Sequence, residues 1–260
     1  MRRSRTPNIQ IGDWFDPDYL NTPFGEFYGQ EFGLSSERTT AEINSILKLV
    51  NKFPNPVTIV DLACGPGRIG EKLLGKSNIN KVIGVDINQI LLKKAEGLGL
   101  QVVESDIRQV SLTSNLAEIV LLMFTSFGYF DDIDDDIQVL KEAKRILVPN
   151  GVFLIDLPNY DNILNHFIPD REFRMDNGEV IRYKKEIVGE YLFETRTLIH
   201  PSGEETQLAP LRLRIYQSKT IKRLCCNVFP KVRILNEQMN AFDVNKSRRM
   251  WVLCYKNTCK

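Results

Sequence analysis

Histidine is almost missing from this chain: His166 and His200 are the only two in 260 residues. That speaks against a metal cluster built on imidazole, the commonest transition-metal ligand. Cysteine is sparse and odd in number. Cys64, Cys225, Cys226, Cys254 and Cys259 make five, with no C-x-x-C spacing. A disulfide framework and a structural zinc site are therefore not expected, and a reduced, cytoplasmic setting without bound metal is. No apolar run approaches the roughly 18 residues that cross a bilayer, so no membrane association is expected. No apolar run follows the opening "MRRSR" either, so it reads as a short solvated tail and not as a secretory leader. Net charge is nearly absent, at +1. Such a chain has no general field to gather DNA, and nucleic acid is not an expected partner.

What is present is an ordinary globular mixture, 43% hydrophobic and 26% charged. The length suits one sizeable α/β domain or one domain with a small added lobe. Residues 36–52 place Ile43, Ile46, Leu47 and Val50 at helical spacing, with Ser36 or Thr39 as start signals and Pro54 and Pro56 beyond the end. Strands and helices then alternate. Strands are predicted at 57–63, 81–87, 100–106, 115–124 and 151–158, with helices at 67–76, 88–98 and 132–147. Single helices between strands predict an α/β fold, a mostly parallel sheet wound on both faces. After Pro158 the helical period stops. Asn177-Gly178, Gly189-Glu190 and Pro201-Ser202-Gly203 are turn signals, and 171–215 reads as an antiparallel meander of about four strands. The α/β pattern resumes with a helix at 217–226 and strands at 231–236 and 249–256.

The chemistry begins in "IVDLACGPGRIG", residues 59–70, which holds a G-x-G-x-x-G at Gly65, Gly67 and Gly70. A glycine turn between strand and helix lets backbone approach a cofactor, with helix N–H groups aimed at it. A dinucleotide would bring a pyrophosphate, and Asp61 at the strand end would repel that anion. S-adenosylmethionine (SAM) brings an ammonium, which the same acid attracts. Asp86 ends the next strand, about 20 residues on. It can accept both ribose hydroxyls, or cap the following helix, as Asn88 also can. Asp106 ends "VESD". It can take the exocyclic amine of adenine with Ile107 beside the ring, or stand as a solvated turn acid.

At "VDLACGPGR", "VIGVDIN", "VESDI" and "EAKRILVPNGVFLIDLPN" the chain resembles the class I, seven-stranded SAM-dependent methyltransferases. The match covers roughly 36–160 and the last two strands. Ala63 stands where many members carry their first glycine. The resemblance implies sheet order 3-2-1-4-5-7-6 with the last strand antiparallel. It implies a SAM-binding domain at 36–160 and 216–260, an N-terminal lid at 1–35 and a substrate cap at 161–215. The cofactor site it implies comprises Asp61, Ala63, Cys64, Gly65, Gly67, Arg68, Asp86, Ile87, Asp106, Ile107 and Phe124. Arg68 would fork onto the SAM carboxylate, or is a surface helix residue. "WFDPDYL" (14–20) and Tyr28 resemble the lid of a small-molecule subset, with Tyr28 over the methionine part or simply in the core.

On the acceptor side, "FTSFGYFDD" (124–132) has neither the N-P-P-Y of adenine-specific DNA enzymes nor a Pro-Cys nucleophile. "SFGY" resembles small-molecule N-methyltransferases acting on amino sugars or glycine. The implied acceptor is thus a small molecule, an amine foremost, methylated by in-line displacement. Ser126, Phe127, Tyr129, Tyr160, Arg214 and Tyr216 are the pocket candidates, with packing the rival role for Phe127 and an ordinary strand position the rival for Arg214 and Tyr216. His166 and Tyr129 are the candidate catalytic groups, since an amine or hydroxyl acceptor must lose a proton. The chain is expected to be a monomer, or a homodimer joined through the insertion. The rival readings are a protein or RNA methyltransferase of the same fold, an NAD-dependent oxidoreductase and a non-catalytic partner of the same fold.

Overall fold

The computed structural model describes residues 36–257. The lid segment 1–35, with Tyr28 and "WFDPDYL", lies outside the described residues, as does Cys259. The described residues divide into two compact units, one holding 36–165 with 216–257, the other the insertion from His166 to Ile215.

In the larger unit the elements run α1 (Ser36–Val50), β1 (Val57–Leu62), α2 (Arg68–Leu73), β2 (Ile79–Asp86), α3 (Gln89–Gly97), β3 (Gln101–Glu104), β4 (Ala117–Leu122), α4 (Ile133–Ile146), β5 (Leu147–Pro158) and α5 (Tyr160–Asn165). After the insertion come α6 (Ser218–Cys226), β10 (Lys231–Leu235) and β11 (Arg249–Tyr255). One seven-stranded sheet results, ordered β10-β11-β5-β4-β1-β2-β3. Strands β3, β2, β1, β4 and β5 are parallel, and β11 runs antiparallel to both β5 and β10. This is the α/β fold and strand order that the motifs predict.

The sheet is covered on both faces, and its strands show why. Val60, Leu62, Val120, Leu122, Phe153 and Ile155 point to one core, shared with Val139, Leu140 and Ala143 of α4 and Ile221 and Leu224 of α6. Ile59, Ile119, Leu121 and Leu154 point to the other, shared with Ile43, Ile46 and Leu49 of α1 and Ile69 and Leu73 of α2. Successive strand residues face opposite ways, so a strand buried on both sides must be apolar throughout. The buried acids that break that rule are Asp61, Asp86 and Asp156, at 2%, 9% and 0% exposure. All three lie toward the carboxyl ends of their strands.

The order of parallel strands reverses between β1 and β4. Ligands of open α/β sheets bind in the crevice outside the strand ends at such a switch point. Residues 63–67 and 123–128 leave the sheet on its two sides.

The insertion forms a separate four-stranded antiparallel sheet, β6 (Asp170–Arg174), β7 (Val180–Val188), β8 (Tyr191–Ile199) and β9 (Glu205–Arg214), each paired with the next. Within it Glu194 is buried and ion-paired to Lys185 at 3.0 Å and to Arg196 at 2.5 Å. Two details depart from the sequence reading. The short helix α5 was not expected, because six residues carry too few helical repeats to register. β5 begins at Leu147 instead of 151, since Leu147 already pairs with Ala117 and Pro149 keeps the chain extended.

Candidate functional site

The glycine loop follows β1 with an alternation of left-handed residues: Ala63 (φ 51°), Gly65 (φ 55°) and Gly67 (φ 88°). Gly67 is required twice over. Its φ suits glycine, and a Cβ there would sit 3.0 Å from the Cβ of Ala95 on α3. Gly65 faces space: a Cβ there would meet nothing nearer than Leu91, 4.0 Å away. Cys64 is buried, donates its Sγ–H to the Gly65 carbonyl at 3.5 Å, and is held as a thiol by burial and by the nearby Asp61 and Asp86. It is a packing residue of the glycine loop.

Asp61 stands at the foot of that loop, paired in register with Gly84 of β2 and Leu121 of β4. Its carboxylate accepts no hydrogen bond from the described residues. Burial pushes its pKa up to about 7; Arg68 draws it down and Asp86 adds to the rise. A desolvated carboxylate without a donor costs free energy, and a ligand cation would supply the missing partner.

Asp86 is 9% exposed. Oδ2 accepts from the Gly65 amide at 2.8 Å and Oδ1 from the Asn88 amide at 2.9 Å. Burial raises its pKa, and the amides of Asn88, Gly65 and Ile87 work against that rise. The helix cap belongs to Asn88, whose side chain accepts from Ile90 and Leu91. Asp86 therefore anchors the glycine loop from β2, with lone pairs left for a hydroxyl donor. Next to it Ile87 is 47% exposed, a large apolar side chain left open at the loop mouth. Asp86→Ala should weaken S-adenosylhomocysteine binding by roughly 30-fold or more, about 2 kcal/mol from one charge-assisted bond alone. Unchanged calorimetric affinity would remove Asp86 from the site.

The other expected residues are placed as follows. Asp106 is gripped by Arg108, with Nη2 at 2.6 Å and Nε at 3.0 Å from Oδ2. Burial pushes the Asp106 carboxyl up, but the side chain and amide of Arg108 bring it below the usual range. Arg108 also reaches Asp135 at 3.0 Å and lies 4.6 Å over the Phe130 ring. An amine would have to compete with Arg108 for Asp106. Asp106, Arg108 and Asp135, with Gln109 and Gln138, line an open cleft of about 460 Å³. Ile107 packs against the core. Arg68 spends Nη1 on Thr39 (2.9 Å) and Glu42 (2.7 Å) of α1, and its guanidinium is 5.7 Å from the Phe124 ring centroid. It is thus neither a bare surface residue nor an uncommitted fork.

The turn after β4 leaves through Met123. Phe124 (φ 58°) and Thr125 (φ 67°) are both left-handed, a conformation costing a non-glycine residue about 1–2 kcal/mol. Ser126 closes the turn by donating to the Met123 carbonyl at 3.0 Å. Phe127 is buried against Tyr216, centroids 5.3 Å apart, and the Tyr216 hydroxyl donates to the buried Asp136 at 2.6 Å. Both rings work as core under the turn. Tyr129 is half-buried and Tyr160, the first residue of α5, is buried. In the insertion, Arg214 is buried, bonds the Tyr191 hydroxyl and lies 3.4 Å from Glu190. His166 is exposed just past α5.

Sequence reasoning missed Glu42, Arg108, Asp156 and Arg249. Asp156 carried one signal, an acid inside the apolar run "VFLIDLP". Among the described residues no group of three or more histidine, cysteine or acidic side chains could hold a metal, and no helix is long and apolar enough to cross a membrane.

Residues 59–151 match the family model described as "Methyltransferase domain". A putative methyltransferase, YqeM, of Bacillus subtilis (strain 168) is 29% identical over 136 residues, 50% of this chain and 53% of that protein. The chain spans about half the length of the curated relatives it matches. A SAM-dependent methyltransferase from Clostridium acetobutylicum superposes with a TM-score of 0.73 at 17% identity, over 89% of this chain and 97% of that one. The sugar N-methyltransferase KedS8 from Streptoalloteichus sp. gives 0.68 at 15% identity, over 98% and 97%. At these identities the likeness is one of fold.

Proposed function

We propose that this chain, which carries a methyltransferase domain on the class I, SAM-dependent fold, methylates a small-molecule amine with SAM as the methyl source. The observation that carries the cofactor assignment is Asp61. It is buried at the switch point beside an intact glycine loop, lacks a hydrogen-bond donor among the described residues and is held near neutrality. The α-ammonium of SAM satisfies it; the pyrophosphate of NAD would aggravate it. When bound, SAM supplies a methyl group activated by a sulfonium. The chain's own part is to bind, orient and exclude water. Asp61 and the 63–67 backbone would hold the methionine end, Asp86 the ribose and Ile87 one face of the adenine.

The amine acceptor is supported by the "SFGY" turn and by the likeness to a sugar N-methyltransferase. The test has two arms. Calorimetric titration should show micromolar binding of S-adenosylhomocysteine and none of NAD; the reverse would overturn the cofactor assignment. Radiolabelled SAM incubated with amino sugars, glycine and a cell extract should place label in dialysable amines. Label in protein or RNA would replace the small-molecule reading.

A further inference from the structure

Asp156 is the one fully buried acid of β5, and its bonds tie the turn after β4 to β11. Oδ2 accepts from the Phe124 amide at 3.0 Å, and its own carbonyl accepts from the Thr125 amide at 3.0 Å. Oδ1 accepts from Arg249 Nε at 2.5 Å and from the Trp251 indole at 3.1 Å. Arg249 enters from the first residue of β11, opposite Pro158 in register. Its Nη2 donates to Thr125 Oγ1 at 2.9 Å, and its guanidinium lies 5.8 Å from the Phe124 ring centroid. The two residues held this way are the consecutive left-handed pair. Non-glycine residues stay in that region only where the surroundings over-determine them, and such places cluster at functional sites.

The position of the turn gives the strain a use. Asp61, Gly65 and Asp86 occupy the β1–β2 side of the crevice, the cofactor side. The 123–128 turn is the wall on the β4–β5 side, from which an acceptor must approach. We propose that the Asp156–Arg249 pair is a positioning device for methyl transfer, clamping Phe124 and Thr125 so that this wall stands at the correct distance from the transferring group. This rests on the methyl-transfer reading. Asp156 and Arg249 touch neither cofactor nor acceptor in this scheme; they act through the turn.

Arg249→Lys tests it. Lysine keeps the charge beside Asp156 but lacks the planar fork that reaches Asp156 and Thr125 together. Two probes need no acceptor: S-adenosylhomocysteine, and sinefungin, whose amine stands where the sulfonium methyl would. We expect S-adenosylhomocysteine affinity within threefold of wild type, sinefungin affinity at least tenfold weaker, and amide exchange across 123–128 at least tenfold faster with the rest of the sheet unchanged. Adding Thr125→Gly, which removes the left-handed strain, should return sinefungin affinity to within threefold of Thr125→Gly alone. A merely structural pair would lower thermal stability and weaken both compounds by one factor, and that result overturns the proposal, as does unchanged exchange or failure of the glycine rescue. If Arg249→Lys does not fold, Thr125→Val, which leaves the ion pair intact, carries the comparison: selective loss of sinefungin supports the clamp, and equal affinities overturn it. Wild-type protein that binds neither compound overturns the methyl-transfer reading and the proposal with it, whereas unchanged exchange in Arg249→Lys overturns the clamp alone.

Discussion

Asp61→Asn should make the ligand-free protein harder to unfold and at the same time nearly blind to SAM. The two effects share one cause. Asp61 is 2% exposed, and burial lifts its pKa from the ordinary 3.8 to about 7. An acid whose pKa is higher folded than unfolded stabilises the fold only while it is protonated. Its contribution is therefore present at low pH and is lost as pH rises from about 4 through 7. At 1.36 kcal/mol per unit, this group alone destabilises the ligand-free protein at pH 8 by on the order of 4 kcal/mol at most, relative to its protonated form. Asparagine cannot ionise, so the variant should unfold several degrees higher at pH 8, with the difference shrinking as pH falls and little of it left below about pH 4. Binding moves the other way. A charge-assisted bond to an ammonium is worth about 1.5–3 kcal/mol, so SAM affinity should fall roughly 10- to 150-fold. Wild-type affinity should also rise between pH 6 and 8 as Asp61 ionises, and the variant should be flat over that range. Calorimetry across pH with parallel thermal melts checks both. A variant that binds SAM like wild type would remove Asp61 from the ligand's contacts.

Trp251→Ala should be the most damaging single change to stability. The indole is fully buried on β11, packed in the core shared with α1 and α2, and its Nε1–H donates to Asp156 at 3.1 Å. Truncating a buried Trp costs about 3–5 kcal/mol through lost burial and the cavity left behind. For a chain of this size that lowers the melting temperature by roughly 10 °C. Trp251→Phe separates the terms. It keeps most of the ring and loses the donor, which costs about 1–2 kcal/mol. Equal melting temperatures for the two variants would show that the hydrogen bond, and not the packing, dominates at this position.

The features readable from sequence are those written by neighbours along the chain. Alternating β and α periods predicted the wound sheet, and turn dipeptides such as Asn177-Gly178 predicted the meander. The glycine run with Asp61 before it located the loop, and Asp86 at the end of β2 needed only the count of residues past that loop. What stayed hidden was how the polar side chains pair. Arg68 looked available for a carboxylate, yet Glu42, 26 residues earlier, takes it. Asp106 looked open, yet Arg108, two residues on, wraps back onto it and ties it to Asp135 on α4. Phe127 and Tyr216 looked like pocket walls as much as core, and both are buried in the core of the larger unit.

By itself, then, the sequence determined the order and type of elements, the place of the glycine loop after β1 and the acid that stands before it. Each is a matter of local period, turn chemistry or charge at a strand end. Only the tertiary structure decided that Asp156 and Arg249, 93 residues apart, meet against the turn after β4. That meeting depends on β11 inserting antiparallel beside β5 in the register that sets Arg249 opposite Pro158. No spacing along the chain encodes such a register. It follows from packing both faces of the sheet, and the strained backbone at Phe124 and Thr125 exists only because that packing holds it.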